Sequence, residues 1–373
     1  MKQKKHIIFF SPTMQRTGSE IVLLNLLNHI SDFFEASVIS KYKGPLLHFI
    51  KNNIKTSYLY QKKSNDLLYR IIFRLKSIFI IPFILKNKKE SSWYINTIVT
   101  PDILNFAIKY KVNVVLHVHE LEQMFDLLNK EQLEQTIHYP DLIIANSEHT
   151  KQLIKQYGRT KSIELCYPAI DTKKIKSNRL IKENYRTQLN IPQDYFVWTM
   201  CGTLDLNKNP DLFIDIAAQL LKSKPNTIFL WIGRANDQDF FDSVKNKTIQ
   251  KYISDKIYWI DCANEDYLNY FNCADGFVLT SNKESFSLVT IEALLLGIPV
   301  VTHDCGGVKE ILRDDIGIIV KEKNNVQYFV DAMLLYMNNE MSHNITGGIE
   351  RAMEFDIKIW SQKWNEILIN YVK

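Results

Sequence analysis

The sequence has few cysteines, and their spacing argues against two kinds of small structural site. Its 373 residues include five cysteines, Cys166, Cys201, Cys262, Cys273 and Cys305, and no two of them form a C-x-x-C pair. An odd number of scattered thiols does not fit a disulfide framework, and common zinc sites need closely spaced ligands. We therefore expect neither a disulfide scaffold nor a zinc site, and the composition fits a reducing cytoplasm.

Two motifs that are typical of other enzyme classes are also missing. No G-x-G-x-x-G follows the first apolar run, residues 6–10, so a nicotinamide-dependent dehydrogenase is not favoured. No D-x-D pair stands directly at the end of a predicted strand, where it would suggest a carboxylate clamp for a metal ion. Any nucleotide site in this chain must therefore use a different motif.

The apolar runs are too short to cross a bilayer. The run at 6–10 is too brief for the core of a signal peptide and is predicted to be a buried strand, so export is not implied. A second stretch, 67–89, mixes apolar residues with lysines and arginines and is interrupted by Pro82. It fits an anionic membrane surface and a buried helix with basic flanks equally well. We expect a cytoplasmic protein, with peripheral attachment to the cytoplasmic face of a membrane left open.

Positive charge is concentrated in one segment. The formal net charge is only +5, but lysines and arginines crowd residues 62–89. No recognised nucleic-acid-binding fold and no repeat of aromatic and basic residues accompanies this cluster. A nucleic acid is therefore not expected as a partner.

The length predicts two domains. At 373 residues, with 46% hydrophobic and 23% charged residues, the chain exceeds the usual size of one hydrophobic core. Strand-like runs alternate with helical patterns in both halves, which predicts two doubly wound α/β domains with parallel sheets. The polar stretch 171–192 is predicted to be a linker with a short helix. The predicted strands are 6–10, 37–40, 93–95, 112–117 and 142–145, then 196–201, 227–232, 257–260, 276–280 and 300–302.

The most specific pattern lies at 281–312. It joins a buried strand to a helix, predicted at 288–296 and ended by Gly297, with Glu284 before the helix and Glu292 in its first turns. In parallel sheets, ligands bind at the carboxyl ends of the strands, where a helix amino terminus offers N–H groups to phosphate. The backbone at 286–288 is therefore predicted to hold a diphosphate. Glu292 would accept hydrogen bonds from ribose hydroxyls, and Glu284 would reach a sugar.

This pattern resembles that of a known enzyme family. E-S-F-S-L-V-T-I-E at 284–292, followed by G-I-P at 297–299 and G-G at 306–307, resembles the E-x7-E signature of retaining glycosyltransferases of the GT-B fold, family 4. The resemblance implies transfer of a hexose from a UDP- or GDP-sugar to a hydroxyl of a glycan or lipid-linked acceptor, with retention at the anomeric carbon. It also implies a role in surface polysaccharide biosynthesis, with no cofactor and no bound metal.

The resemblance also sets the expected domain organisation. It implies two Rossmann-like domains that face a central cleft, with the acceptor on the side of the first and the donor bound by the second. The family's carboxyl-terminal helix crosses back onto the first domain, and apolar residues at helical spacing in 356–371 fit such a helix. We therefore assign 1–170 with 356–373 to the first domain and 171–355 to the second.

A second match to the family lies at the first strand of the second domain. C-G-T-L at 201–204 and N-K-N-P at 207–210 resemble its G-R-x4-K-G segment. The resemblance implies that the Lys208 ammonium stabilises charge on the diphosphate leaving group. Thr203 stands where the family has arginine, so one of two expected cations is missing. Arg234, after the strand at 227–232, is a weaker candidate for that charge.

The first domain matches the family at scattered points. R-T-G-S-E at 16–20 resembles its first loop, in which Gly18 lets the backbone approach the donor diphosphate or the acceptor. H-V-H-E at 117–120 lies at a strand end where the family has a histidine near the donor sugar, and His119 is the better match. His117 lies on the same predicted face. The predicted catalytic residues are His119, Glu284 and Lys208, and the predicted donor-binding residues are Gly18, Gly202, Thr203, Lys208, Arg234, Glu284, Ser285, Phe286, Ser287, Leu288 and Glu292.

Two alternatives stay open from the sequence. A non-catalytic partner subunit could keep the fold and the donor site, and Thr203 in place of arginine favours this alternative. A nucleotide-sugar epimerase of the same fold would consume the donor without an acceptor. The pair of glutamates favours the transferase over the partner subunit.

Overall fold

The chain forms two α/β units. The computed structural model describes residues 4–61, 81–177, 182–261, 267–313, 315–341 and 344–373. Residues 1–169 and 357–373 make up the first unit, and residues 170–356 make up the second. Each unit has its own sheet, in which all strand pairs are parallel. The two parallel α/β sheets predicted from the alternation of strands and helices are thus confirmed.

Both sheets are doubly wound. The first sheet has the order β3-β2-β1-β4-β5-β6-β7 and the second has the order β10-β9-β8-β11-β12-β13. In both sheets the order reverses beside the first strand of the unit, and such switch points are where doubly wound sheets bind ligands. The strands are β1 Lys5–Ser11, β2 Phe34–Tyr42, β3 Lys55–Tyr60, β4 Ser92–Ile95, β5 Val114–Val118, β6 Leu142–Ala145, β7 Ile163–Leu165, β8 Phe196–Cys201, β9 Thr227–Ile232, β10 Ile257–Ile260, β11 Gly276–Leu279, β12 Val300–His303 and β13 Ile318–Val320.

Helices connect most consecutive strands, as parallel pairing requires. Short 3₁₀ turns occupy Pro45–Phe49 and Gly307–Glu310. The α-helices are α1 Gly18–Leu27, α2 Ile81–Lys86, α3 Pro101–Tyr110, α4 Glu122–Phe125, α5 Lys130–His138, α6 Glu148–Gln156, α7 Thr172–Ser177, α8 Lys182–Gln188, α9 Pro210–Leu220, α10 Gln238–Gln250, α11 Tyr267–Phe271, α12 Leu288–Leu295, α13 Val326–Met337, α14 Ile345–Met353 and α15 Ile357–Tyr371.

The carboxyl-terminal helix α15 is part of the first unit. Its Trp364 is fully buried, with its ring 5.8 Å from that of Phe9 on β1 and 5.8 Å from that of Tyr94 on β4. The Trp364 indole also donates a hydrogen bond to the Tyr94 hydroxyl at 3.1 Å. A buried tryptophan with a satisfied N–H anchors the helix firmly to the sheet.

The unit boundaries differ from the predicted ones by single residues. The prediction placed Ile170 in the first domain and Asp356 with the carboxyl-terminal helix, whereas both belong to the second unit. Ile170 and Asp356 form a parallel bridge, and the Ile170 N–H donates to the Phe355 carbonyl at 3.1 Å. The linker predicted at 171–192 contains two helices, α7 and α8, and its residues 178–181 lie outside the described residues.

Candidate functional site

The loop before α12 is fastened to the loop after β12. The Glu284 N–H donates to the Cys305 carbonyl at 2.6 Å, and the Gly307 N–H donates to the Glu284 carbonyl at 2.9 Å. A Cβ on Gly307 would lie only 2.2 Å from the Ser285 carbonyl oxygen, so no side chain fits there without moving the loop. These two backbone hydrogen bonds hold the main chain at Glu284 against the loop after β12.

The amino terminus of α12 has the features of an anion site. Its cap residue Ser287 has φ 97° and ψ 80°, an unusual conformation for a residue with a side chain. The Ser287 hydroxyl bonds to the Thr290 hydroxyl at 2.8 Å and does not cap the helix. The first-turn amide groups thus receive no side-chain cap, which suits a bound phosphate. Phe286 is buried against the Phe355 ring at 5.2 Å and holds this turn in place.

Lys208 and Glu284 form an ion pair. The Lys208 ammonium contacts a Glu284 carboxylate oxygen, and the side chains are 19% and 12% exposed. Burial disfavours the charged lysine, but the Glu284 carboxylate, with smaller contributions from Asp205 and Cys305, raises the pKa of Lys208 overall. The lysine predicted to bind phosphate and the glutamate predicted to bind sugar are therefore adjacent, and in this structure each neutralises the other.

Glycines let two loops of the second unit approach each other. Gly233 has φ +154°, and a Cβ there would lie 2.0 Å from the Gly202 carbonyl oxygen. Gly202 has φ +155°, and its Cβ would lie 3.1 Å from Cε of Lys208. Gly202 therefore leaves room for the lysine stem, as the predicted donor loop requires. Thr203 is half-buried beside it, and Arg234 is exposed and forms no ion pair with any of the described residues.

Glu292 is buried and has one unpaired oxygen. The side chain is only 6% exposed, and Oε1 accepts a hydrogen bond from the Tyr267 hydroxyl at 2.6 Å. Oε2 has no hydrogen-bond partner among the described residues. Burial raises the pKa of the Glu292 carboxyl to about 7, against a smaller lowering by Tyr267. A buried carboxylate oxygen without a donor is costly, which suggests that a ligand supplies the missing hydrogen bonds.

The first unit contains a histidine pair at the end of β5. The His117 and His119 rings are 3.9 Å apart, so both lie on the same face, as predicted. Burial lowers the pKa of His119 to about 3 and that of His117 well below its ordinary value. Both rings are therefore neutral near pH 7. His119 Nε2 is 3.0 Å from the Asn96 side-chain oxygen, which leaves its Nδ1 as the ring acceptor if Nε2 carries the proton.

A hydrogen-bond chain fixes the tautomer of His117. The Trp364 indole can only donate a hydrogen bond, so the Tyr94 hydroxyl oxygen is the acceptor of that bond. The Tyr94 hydroxyl in turn donates its own hydrogen bond to His117 Nδ1 at 2.5 Å. The His117 proton is then on Nε2, which is buried without a partner among the described residues. The carboxyl-terminal helix is thus linked through Tyr94 to His117, whose ring packs against His119.

The first loop of the first unit is occupied by its own carboxylate. Glu20 is 1% exposed, and its carboxylate accepts hydrogen bonds from the backbone N–H groups of residues 13, 14 and 15 at 2.6 to 2.7 Å. The hydroxyls of Ser11, Thr13 and Thr17 also donate to it, at 2.9 to 3.1 Å. The backbone N–H groups of residues 13, 14 and 15 are therefore already hydrogen-bonded to the Glu20 carboxylate. Gly18 itself is exposed and open, with no atom within 4 Å of where a Cβ would lie.

Part of the basic and apolar stretch at 67–89 lies outside the described residues. Of 67–89, the structure describes 81–89, where helix α2 includes Pro82 near its start. Phe83 is 67% exposed, and the three lysines that follow, at 86, 88 and 89, are exposed as well. In the part of the chain that the structure describes, no helix is long and apolar enough to span a membrane.

Sequence reasoning missed two residues of these sites. Tyr267 lies 25 positions before Glu292 and belongs to no motif, so its contact with Glu292 had no signal in the sequence. Glu20 lies two residues after Gly18, and a carboxylate in the first turn of a helix is common enough to carry no special meaning. The contact between Lys208 and Glu284 was not predicted either, although each residue was predicted separately.

A family model matches most of the second unit. Residues 181–351 match the family described as Glycosyl transferases group 1. The D-inositol 3-phosphate glycosyltransferase of Mycolicibacterium smegmatis is 23% identical over 243 residues, which cover 64% of this chain and 54% of that protein. The UDP-Gal:alpha-D-GlcNAc-diphosphoundecaprenol alpha-1,3-galactosyltransferase of Escherichia coli is 22% identical over 318 residues, which cover 81% and 79%. The chain spans about half the length of the first curated relatives it matches.

Solved structures share the fold over nearly the whole chain. Anabaena HepE, in complex with UDP and glucose, has a TM-score of 0.81 at 19% identity and covers 97% of this chain and 98% of its own. Sucrose-phosphate synthase from Thermosynechococcus elongatus has a TM-score of 0.78 at 14% identity and covers 98% and 99%. At such low identity the likeness establishes the fold, two Rossmann-like α/β domains of the GT-B type.

Proposed function

We propose, on the premise that residues 181–351 belong to the glycosyl transferases group 1 family, that the chain is a hexosyltransferase using a nucleoside diphosphate sugar as donor. The observation that carries this proposal is Glu292, a buried carboxylate with one oxygen that no described residue satisfies. It lies on the same helix whose uncapped amino terminus suits a phosphate. A ribose and a diphosphate together match these two features.

The charges of the site support a role in leaving-group stabilisation. As the bond between sugar and diphosphate breaks, negative charge grows on the phosphate, and preorganised donors stabilise it. The amides of the first turn of α12 and the Lys208 ammonium are the groups proposed for this task. Glu284 is proposed to turn from Lys208 to the sugar hydroxyls when the donor binds. No metal or organic cofactor takes part in this proposal.

The finer features of the reaction follow from the family resemblance. We propose that the sugar is transferred with retention at the anomeric carbon, to a hydroxyl of a glycan or lipid-linked acceptor in surface polysaccharide synthesis. The role assigned to His119 stays a prediction. The exposed Phe83 and the neighbouring lysines support attachment to an anionic membrane surface on the cytoplasmic side.

Calorimetric titration with UDP, GDP and ADP tests the donor site. We expect one nucleotide to bind in the micromolar range, and Glu292→Ala and Lys208→Ala each to weaken it roughly tenfold, the loss of about 1.4 kcal/mol. Asp211→Asn, which changes an exposed residue of the same unit, should bind like the wild type. Absence of binding to all three nucleotides would favour the non-catalytic partner subunit instead.

Nucleotide affinity should depend on pH through Glu292. Burial raises the pKa of this carboxyl to about 7, and ribose hydroxyls donate best to the ionised form. Affinity should therefore fall as the pH drops below 7, and binding at pH 6 should be roughly tenfold weaker than at pH 8. Titrations across this range with the wild type and with Glu292→Gln check this. The glutamine variant cannot ionise there, so a slope of equal size in both proteins would assign the effect to another group.

A further inference from the structure

We propose that Tyr267 is a positioning residue for the nucleotide ribose, acting through Glu292. Its phenol holds one carboxylate oxygen so that the other faces the ribose hydroxyls. This inference rests on the proposed function, because it takes Glu292 as the ribose acceptor. It adds to that function a residue that lies outside the sequence motifs.

The contact between the two side chains is short and well buried. The Tyr267 hydroxyl lies 2.6 Å from Glu292 Oε1, and Glu292 is 6% exposed. An ionised carboxylate can only accept hydrogen bonds, so the phenol is the donor. Donation to Oε1 fixes the rotation of the carboxylate plane. It also reserves Oε2, which has no partner among the described residues, for donors that arrive with a ligand.

The backbone around Tyr267 is anchored at several points. Tyr267 begins α11, and the Asn269 side chain on this helix donates to the Tyr185 hydroxyl at 3.0 Å. Just after the helix, the Cys273 carbonyl accepts a hydrogen bond from Arg186 at 2.7 Å. Both partners belong to α8, so the helix that carries Tyr267 is fixed by another element of the same unit. A phenol on such a support can hold the carboxylate in one orientation.

The same contact keeps Glu292 in the form that accepts hydrogen bonds. Burial raises the pKa of Glu292, whereas the phenol lowers it, and no other group of the described residues contributes. Loss of the phenol would therefore favour the protonated carboxyl, in which one oxygen becomes a donor. Both effects, orientation and ionisation, act on hydrogen bonds to ribose hydroxyls and on no other part of the nucleotide.

Because Tyr267 is proposed to act only on hydrogen bonds to the ribose hydroxyls, a nucleotide that lacks these hydroxyls tests the inference. Calorimetry at pH 8 would compare UDP with 2′,3′-dideoxy-UDP, which lacks both ribose hydroxyls, on the wild type and on Tyr267→Phe; GDP and its dideoxy form replace them if the wild type prefers GDP. We expect Tyr267→Phe to weaken the binding of UDP roughly tenfold and the binding of the dideoxy nucleotide less than twofold. Tyr328→Phe, a change at a partly exposed tyrosine of the same unit, should affect neither.

A double-mutant cycle distinguishes the proposed role of Tyr267 from a general loss of structure. In the Glu292→Ala background, Tyr267→Phe should cause no further loss of UDP affinity, since its route to the ribose is gone. Equal loss for the two nucleotides, or a full additional loss in the Glu292→Ala background, would overturn the inference and assign Tyr267 to the fold alone. If the wild type binds no nucleotide at all, the proposed function fails and this inference fails with it. If the wild type binds UDP and its dideoxy form equally well, only the ribose role of the pair fails.

Discussion

Glu284→Gln should bind a nucleoside diphosphate more tightly than the wild type and yet transfer sugar far more slowly. In the structure the Lys208 ammonium is neutralised by the Glu284 carboxylate. Glutamine keeps the size of the side chain and removes its charge, so the ammonium becomes free for phosphate. We expect roughly tenfold tighter binding of UDP, because a charge pair at this partial exposure contributes about 1 to 2 kcal/mol.

Transfer should fall because the same change removes the charged acceptor that we propose for the sugar hydroxyls. A group that acts on the reacting sugar typically contributes about 100-fold in rate, so turnover should drop by roughly that factor. Release of the nucleoside diphosphate from sugar conjugates of the nucleotide that calorimetry identifies measures turnover, and titration with that nucleotide alone measures affinity. Asp211→Asn removes an equal charge from an exposed pair of the same unit and should change neither quantity. Weaker UDP binding in Glu284→Gln would mean that the carboxylate holds Lys208 in its productive position.

Gly307→Ala should damage both stability and nucleotide binding. A Cβ at this position would lie 2.2 Å from the Ser285 carbonyl oxygen and 2.9 Å from Cα of Phe286, and backbone atoms cannot move aside as a flexible side chain can. We expect a loss of about 3 kcal/mol in the free energy of unfolding, or roughly 6 to 12 °C in Tm. Nucleotide affinity should fall roughly 100-fold, because the loop before α12 must shift and carries the helix amino terminus with it.

Gly348→Ala provides the matched control for this prediction. It makes the same change in the same unit, but its Cβ would lie 3.4 Å from a Leu294 side-chain carbon, an ordinary contact. Within helix α14 alanine is also the better helix former, so stability should stay unchanged or rise slightly. Thermal unfolding measures the stability of both variants, and titration with UDP measures their nucleotide affinity. Similar behaviour of the two variants would show that the loop before α12 tolerates displacement.

The sequence predicted the fold where strands are buried on both faces. The strands at 142–145, 196–201 and 227–232 begin and end at the predicted residues, because central parallel strands are short uninterrupted apolar runs. The edge strand at 257–260 also has the predicted bounds. The strands at 55–60, 163–165 and 318–320 were not predicted. They lie at or next to the sheet edges, where β3 is mostly exposed and β7 and β13 have three residues each. Such segments carry little hydrophobic pattern of their own.

The sequence predicted the site at the level of motifs but not of contacts. Glycines that allow close backbone approach are visible as glycines, and Gly202 lies beside Lys208 as its motif suggests. Ser287 adopts a positive φ although it is not glycine, and its residue type gives no sign of this conformation. The contacts of Lys208 with Glu284 and of Tyr267 with Glu292 join segments 76 and 25 residues apart. Pairings of that kind depend on where each loop ends in space, which spacing along the chain does not determine.

The carboxylate of Glu20 makes the two switch points chemically unequal. The sheets have matching strand orders, but the first loop of the first unit already contains an anion that belongs to the chain itself. A free phosphate would have to displace a covalently tethered competitor, whose effective concentration is on the order of millimolar or higher. The first unit therefore rejects phosphate at the N–H groups of residues 13 to 15 without any change of fold. By contrast, no side chain caps the amino terminus of α12, which is where we propose that the donor diphosphate binds.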